Sequence, residues 1–146
     1  MLSLPDKTNA IIAVGGANQN WKEDEDLPLS WKQILFKADI LLIQRELPDF
    51  VNLKAINEIN DTCKVILDMG GSSCQISEFL LREAHVIIQN RFEMQYLLDF
   101  EDFDHEIDGL LNKHPKLKVI CLRGEDGSIL FEHSRHVRQW ACDLSS

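Results

Sequence analysis

The sequence predicts an α/β fold built on a mostly parallel sheet. Two observations carry this: short apolar, β-branched runs recur along the 146 residues, and the segments between them repeat apolar residues at helical spacing. A third, the change of pattern after Leu122, predicts an antiparallel hairpin added at the edge of that sheet.

The apolar runs are Ala10 to Val14, Ile40 to Ile43, Val65 to Leu67, Val86 to Ile88 and Val119 to Leu122. Their near-continuous hydrophobicity is the pattern of strands buried on both faces. Between them, Trp31, Ile34 and Leu35 mark a short helix after Ser30. Val51, Ala55, Ile56 and Ile59 keep one face of a helix opened by Pro48, because a proline near a helix start removes no hydrogen bond. Ile76, Phe79 and Leu80 mark the next helix, then Phe92, Tyr96 and Leu97, then Ile107, Leu110 and Leu111 ahead of Pro115. Each stripe suits packing on a sheet. After Leu122 the residues Arg123 to Gly127 form a turn, and Ser128 to Glu132 and His136 to Trp140 read as two strands. The acidic stretch Lys22 to Asp26 reads as an exposed loop.

Composition narrows the function. A net charge of −9 repels nucleic-acid backbones and anionic lipid, and no basic patch offsets it, so neither partner is expected. No segment approaches the roughly 20 apolar residues that span a bilayer. The four cysteines, Cys63, Cys74, Cys121 and Cys142, show neither a C-x-x-C pair nor zinc spacing and read as buried reduced thiols. The start, Met1 to Lys7, carries neither a signal-peptide nor a transit-peptide pattern. A cytoplasmic location is the default expectation, with a plastid the alternative if a transit peptide preceded Met1.

In an open α/β sheet, ligands bind where loops leave the carboxyl ends of the strands. Four such loops stand out: Gly15-Gly16-Ala17-Asn18, Gln44-Arg45-Glu46, Asp68-Met69-Gly70-Gly71 and Asn90-Arg91-Phe92-Glu93. The Gly124 to Gly127 turn makes a fifth. Neither glycine pair fits the dinucleotide fingerprint or the P-loop, and a tight βα turn explains each alone. Glu46 is read equally as a carboxylate for sugar hydroxyls and as a helix-start anion favoured by the macrodipole. Asn90 and Glu93 suit a phosphate contact and a water held on Mg²⁺, yet their spacing is also that of simple helix capping, which local sequence favours. His133 and His136 lie in the expected hairpin and read as surface residues, and no Ser/His/Asp set suggests a triad.

Taken together, the segments NAIIAVGGANQNW (Asn9 to Trp21), LLIQRELPD (Leu41 to Asp49), VILDMGG (Val65 to Gly71), Asn90-x-x-Glu93 and RGEDG (Arg123 to Gly127) resemble the ribokinase branch of the PfkB carbohydrate kinases, particularly plant-type ribokinases. The resemblance implies a ribokinase-like three-layer sandwich, of which residues 1–146 form a central part. It implies ATP-dependent phosphorylation of D-ribose to ribose 5-phosphate, with ATP and Mg²⁺, and K⁺ as a further ion. On this pattern Glu46 and Asn18 contact the sugar. Asn90 and the loop Leu122, Arg123, Gly124, Glu125, Asp126, Gly127 contact the nucleotide. Glu93 orders Mg²⁺ through water, and Asp143 lies by a monovalent cation. The resemblance also implies a homodimer for the intact family.

This chain departs from the pattern at several points. Gln89 and Arg91 replace a proline and a glutamate that usually flank the asparagine, and Leu122 replaces a polar nucleotide contact, often threonine. The family's amino-terminal lid has no counterpart before Met1, and its catalytic aspartate, in a G-A-G-D motif, is expected beyond Ser146. The chain is therefore expected to be inactive alone. The alternatives are a related kinase acting on fructose, adenosine or another small alcohol, and a non-catalytic fragment.

Overall fold

A computed structural model describes residues 2–3, 9–10, 15–70, 75–90, 93, 103–133 and 135–139. A two-residue ladder, β1 (Leu2–Ser3) against β2 (Asn9–Ala10), stands apart from the main sheet. The elements that follow are α1 (Leu29–Leu35), β3 (Ile40–Gln44), α2 (Asp49–Ile56), β4 (Lys64–Asp68), α3 (Glu78–Glu83), β5 (Val86–Asn90), α4 (Phe103–Lys113), β6 (Lys118–Leu122), β7 (Ser128–Glu132) and β8 (Arg135–Gln139). Beyond Ala10 the first expected strand lies outside the described residues. So do the helix expected around Phe92, Tyr96 and Leu97, the residues Trp140 and Asp143, and the thiols Cys74 and Cys142.

Strands β3 to β8 form one six-stranded sheet in chain order. β3 to β6 run parallel because each successive pair is joined by a crossover that can accommodate a helix. β7 and β8 then fold back antiparallel, since the turn at Arg123 to Gly127 is too short for anything else. In that turn Arg123 N–H donates to Gly127 O at 2.8 Å, and Gly124 and Gly127 take φ of +58° and +82°, conformations that disfavour other residues. The expected hairpin is present, with its second strand at Arg135–Gln139.

The two faces of this sheet differ. One carries Ile43, Val65, Leu67, Ile87, Gln89, Val119, Cys121 and Phe131, all buried, against Ile56 of α2, Leu80 and Leu81 of α3, and Ile107 and Leu111 of α4. The other carries Ile40, Leu42, Ile66, Val86, Ile88, Ile120, Leu122 and Leu130, and none of these is fully buried. Leu42 is 73% exposed. The expectation of strands buried on both faces is thus corrected: among the described residues the core lies on one side, and the other face is half-buried to exposed.

Two helices also differ from their expected stripes. α1 buries none of its residues, and Trp31 and Ile34 are exposed rather than packed on the sheet. In α3 the buried pair is Leu80 and Leu81, while Phe79 turns to solvent, because a six-residue helix capped by Ser77 presents two consecutive leucines inward. α4 and the start of α2 follow expectation: Pro48 sits at the N-cap of α2 with φ −56° and ψ 139°, and α4 ends at Lys113, two residues before Pro115; α2 itself ends at Ile56, so Ile59 lies beyond it, and it buries Val51, Asn52 and Ile56. Lys22 to Asp26 is exposed, tied by Lys22–Glu25 at 2.9 Å and Lys32–Asp26 at 2.7 Å. Cys63 and Cys121 are buried free thiols, and burial pushes the Cys63 thiol up.

One polar residue on the covered side is poorly served. Gln89 is 1% exposed, and among the described residues neither its Nε2 nor its Oε1 has a hydrogen-bond partner. An unpartnered buried amide costs about 1–3 kcal/mol. Gln89→Met, of similar length and no polarity, should therefore raise unfolding stability by about that amount in urea titration.

His85 joins β4 to β5: its Nδ1 accepts from Val65 N–H at 3.2 Å, and its own N–H donates to Val65 O at 2.9 Å. Burial, then the ammonium groups of Lys64 and Lys116, hold its pKa below the ordinary 6.5. The unfolded chain thus takes up this proton first as pH falls. Stability should be level above pH of about 6.5 and decline below it, with the decline stopping once the folded form also titrates. Chemical denaturation of wild type and His85→Asn at two pH values, one on either side of 6.5, checks this; the variant should lose the slope in this window.

Candidate functional site

Parallel register sets the geometry of the carboxyl edge. Gln44 pairs with Asp68, Asp68 with Ile88, and Asn90 with Leu122. With neighbouring strands about 4.8 Å apart, the ends of β3 to β6 form a row about 14 Å long. Glu46, Gly70, Glu93 and the Gly124 turn extend from that row.

At the β3 end, a cavity of about 860 Å³ is lined by Asn18, Trp31, Leu42, Glu46, Asp68 and Ile88, among others. It brings together Asn18 and Glu46, the two residues read from sequence as sugar contacts. A short 3₁₀ turn, Gly16–Gln19, carries Asn18, and Gly16 takes φ +51° there. Gln19 Nε2 donates to Glu46 O at 3.4 Å, tying this turn to the loop after β3.

The loop Gln44-Arg45-Glu46 splits in direction. Glu46 is exposed in the cavity wall, while Arg45 turns inward and is 4% exposed. Its Nε and one Nη each donate to Asp49 at 3.1 Å, and the same Nη donates to Gln75 O at 3.1 Å. Buried Asn52 donates to Gln44 O at 2.8 Å. Loop, helix start and the following βα segment are thus fastened to one another beneath Glu46.

Asn90 and Glu93 form a reciprocal cap. Glu93 N–H donates to Asn90 Oδ1 at 2.8 Å, and Asn90 N–H donates to Glu93 Oε2 at 3.0 Å. The capping chemistry that local sequence favoured is therefore present. It occupies one carboxylate oxygen and leaves the other toward Gly70. A methyl group placed on Gly70 would meet Asp68 Oδ1 at 3.3 Å and Glu93 Oε1 at 3.7 Å. Asp68 Oδ1 itself accepts from Gly70 N–H at 2.9 Å. Among the described residues no group of three or more His, Cys, Asp or Glu side chains could hold a metal. Asp68 and Glu93 instead suit an ion that keeps most of its waters, as Mg²⁺ does.

Asn90, Glu93 and the residues Arg123 to Gly127 lie along the same edge but do not line the 860 Å³ cavity. Leu122, half-exposed at the end of β6, sits opposite Asn90 in the ladder and leads into the turn. Arg123 reaches Asp126 at 3.5 Å. Asp143 lies outside the described residues. His133 is exposed, as expected of a hairpin histidine.

Sequence reasoning passed over two residues here. Asp68 reads from sequence as part of a loop with no role of its own, yet it is the last residue of β4 and stands at the edge. Trp31 was read as core, and no local signal distinguishes it from a packed aromatic. Arg45 should be structural and Glu46 not: Arg45→Ala should cost about 3 kcal/mol by stranding Asp49, while Glu46→Ala should stay within about 0.5 kcal/mol. Thermal or urea unfolding of the two variants measures the difference.

Comparison with known proteins agrees with this fold. The sequence is 35% identical over 136 residues to ribokinase of Arabidopsis thaliana, covering 86% of this chain and 34% of the relative. Its fold superposes on the structure of Arabidopsis thaliana ribokinase complexed with ribose and ATP with a TM-score of 0.75 at 31% identity, over 94% of this chain and 46% of that one. Ribokinase from Thermotoga maritima, at 24% identity, shares the fold with a TM-score of 0.69 over 96% of this chain and 46% of its own. No family model matches the chain. The chain spans about a third of the curated relative it matches and just under half of these solved structures.

Proposed function

We infer that this chain, a ribokinase homologue in sequence and fold, supplies the sugar-contacting and nucleotide-contacting edge of an ATP-dependent kinase that converts D-ribose to ribose 5-phosphate. The observation that carries the reading is the row of strand ends, in which Asn18 and Glu46 share one cavity and Asn90 and the Gly124 turn follow along the same edge. The Arabidopsis structure complexed with ribose and ATP supports both ligand classes.

In this reading Glu46 accepts hydrogen bonds from ribose hydroxyls, and the Asn18 amide fixes a second hydroxyl. Asn90 and the turn Leu122 to Gly127 bound the nucleotide. The Glu93 oxygen that faces Gly70, with Asp68 nearby, would hold a water on Mg²⁺, an ion that would neutralise charge on the transferring phosphoryl group. The second oxygen stays on Asn90 N–H, so the carboxylate keeps its orientation throughout. The preorganised donors and the proton acceptor that complete such a reaction have no match among these 146 residues on the family pattern.

The expected result is therefore binding without turnover. Amide resonances of residues 15–20 and 44–47 should shift with D-ribose, and those of 90–93 and 122–127 with ATP and Mg²⁺. A coupled ADP-release assay should stay at background. Absence of both sets of shifts would overturn the reading, and stronger shifts with fructose or adenosine would reassign the substrate. Glu46→Ala should weaken ribose binding about tenfold or more, as expected when a charged hydrogen-bond partner is lost.

A further inference from the structure

The opposite edge of the sheet, where β4, β5 and β6 begin, holds a second cavity that plays no part in the kinase reading. Its volume is about 290 Å³, and Asp61, Cys63, Arg82, Glu83, His85 and Lys116 are among its lining residues. A smaller cavity of about 170 Å³ adjoins it, since Arg82, Ala84 and Lys116 line both. Five-residue strands at about 3.3 Å per residue put this edge roughly 15 Å from the row that carries Glu46 and Asn90. No stretch of sequence displays the cluster, because its members meet only through parallel pairing: His85 N–H donates to Val65 O and Lys118 N–H to His85 O, each at 2.9 Å.

The charges around this cavity are not balanced. Arg82 and Lys116 in its wall and Lys64 beside it form no ion pair among the described residues, although the chain has 24 acidic residues to 15 Lys and Arg. Their neighbours Lys113 and Lys118 are paired, with Glu78 at 2.9 Å and Glu132 at 3.0 Å. Lys64 and Lys116 both disfavour a proton on His85, and Glu83 opposes them more weakly. Helix C-termini favour cations, which accounts for Arg82 in the last turn of α3. That effect fades within a turn, and Lys64, His85 and Lys116 stand at strand starts beyond it. Buried His114, in the adjoining cavity, adds an Nε2 that lies 3.4 Å from Glu78 Oε1 without a hydrogen bond among the described residues.

We propose that this cavity binds a phosphate monoester of a small polyol, with the phosphate on Arg82, Lys116 and His85 and the hydroxyls on Asp61 and Glu83. A guanidinium fork matches two phosphate oxygens, and an ammonium serves a third. His85 is oriented to join them: its Nδ1 accepts from Val65 N–H at 3.2 Å, so its other ring nitrogen is the donor. The two carboxylates repel a bare polyanion yet accept hydrogen bonds from hydroxyls, which selects an ester over inorganic phosphate. The cavity is at the small end for ligand sites, so the polyol has few carbons. A dianion here relieves the like-charge repulsion, and because Arg82 and Lys116 stand in solvent the affinity is on the order of 0.1–1 mM.

Titration of the intact chain with glycerol 3-phosphate, followed by amide resonances, tests this. Saturable shifts are expected in residues 61–65, 82–86 and 114–117, and the bound phosphate should raise the pKa of His85. Arg82→Ala and Lys116→Ala, both at exposed positions, should each weaken binding about tenfold. Lys118→Ala, on the same edge but already paired with Glu132, should leave it unchanged. Glycerate, with a single negative charge, should bind at least about fivefold more weakly. Shifts that never saturate, that persist undiminished in both alanine variants, that glycerol or glycerate reproduces at the same concentrations, or that fall only in residues 90–93 and 122–127 would each overturn the proposal. The last pattern would put the phosphate at the nucleotide edge and leave the kinase reading intact.

Discussion

The structure depends on packing against one side of a parallel sheet. Leu67, Ile87 and Val119 sit on adjacent strands of that side, each essentially inaccessible to solvent, and Leu80, Ile107 and Leu111 close over them from two helices. Parallel order follows, since each return crossing must lay an apolar stripe back on the same side. Parallel order in turn sends every strand out of the sheet at the same edge. Without the one-sided core, Gln44, Asp68, Asn90 and Leu122 would have no reason to stand in a row.

Much of this could be read from the sequence because it is local. The apolar runs, the proline before α2, the proline after α4 and the glycine turn before β7 act over a few residues, and the structure places elements where they indicated. What could not be read was coverage. Ile40 to Ile43 looks the same whether one face or two is buried, because the partner that covers a strand is not encoded in that strand. The same gap explains Phe79, whose spacing fits a core stripe as well as Leu81 does. Gln89 and Arg45 are the reverse case. Both are polar residues that local pattern assigns to loops or edges, and both end up buried, one held by Asp49 and a carbonyl, the other without a hydrogen-bond partner among the described residues.

The candidate site was legible as a set of loops, less so as a set of side-chain directions. Spacing alone presented Asn90 and Glu93 as either a helix cap or a ligand contact. The geometry makes the alternatives compatible, since the cap uses one carboxylate oxygen and one amide oxygen and holds the remaining carboxylate oxygen in place. Glu46 and Asn18 meet in one cavity although 27 residues separate Gln19 from the carbonyl it touches, a proximity no short window of sequence contains.

The division of labour between Arg45 and Glu46 bears on how such a protein can change over generations. The anchoring residue is sealed in and interlocked with three segments, so few replacements at that position survive. Its neighbour stands in open solvent with little folding energy invested in it. On the proposed reading of Glu46 as a ligand contact, mutations that alter what the pocket recognises can therefore accumulate one position away from the anchor without eroding the scaffold, leaving ligand preference free to drift among descendants that all keep the same architecture.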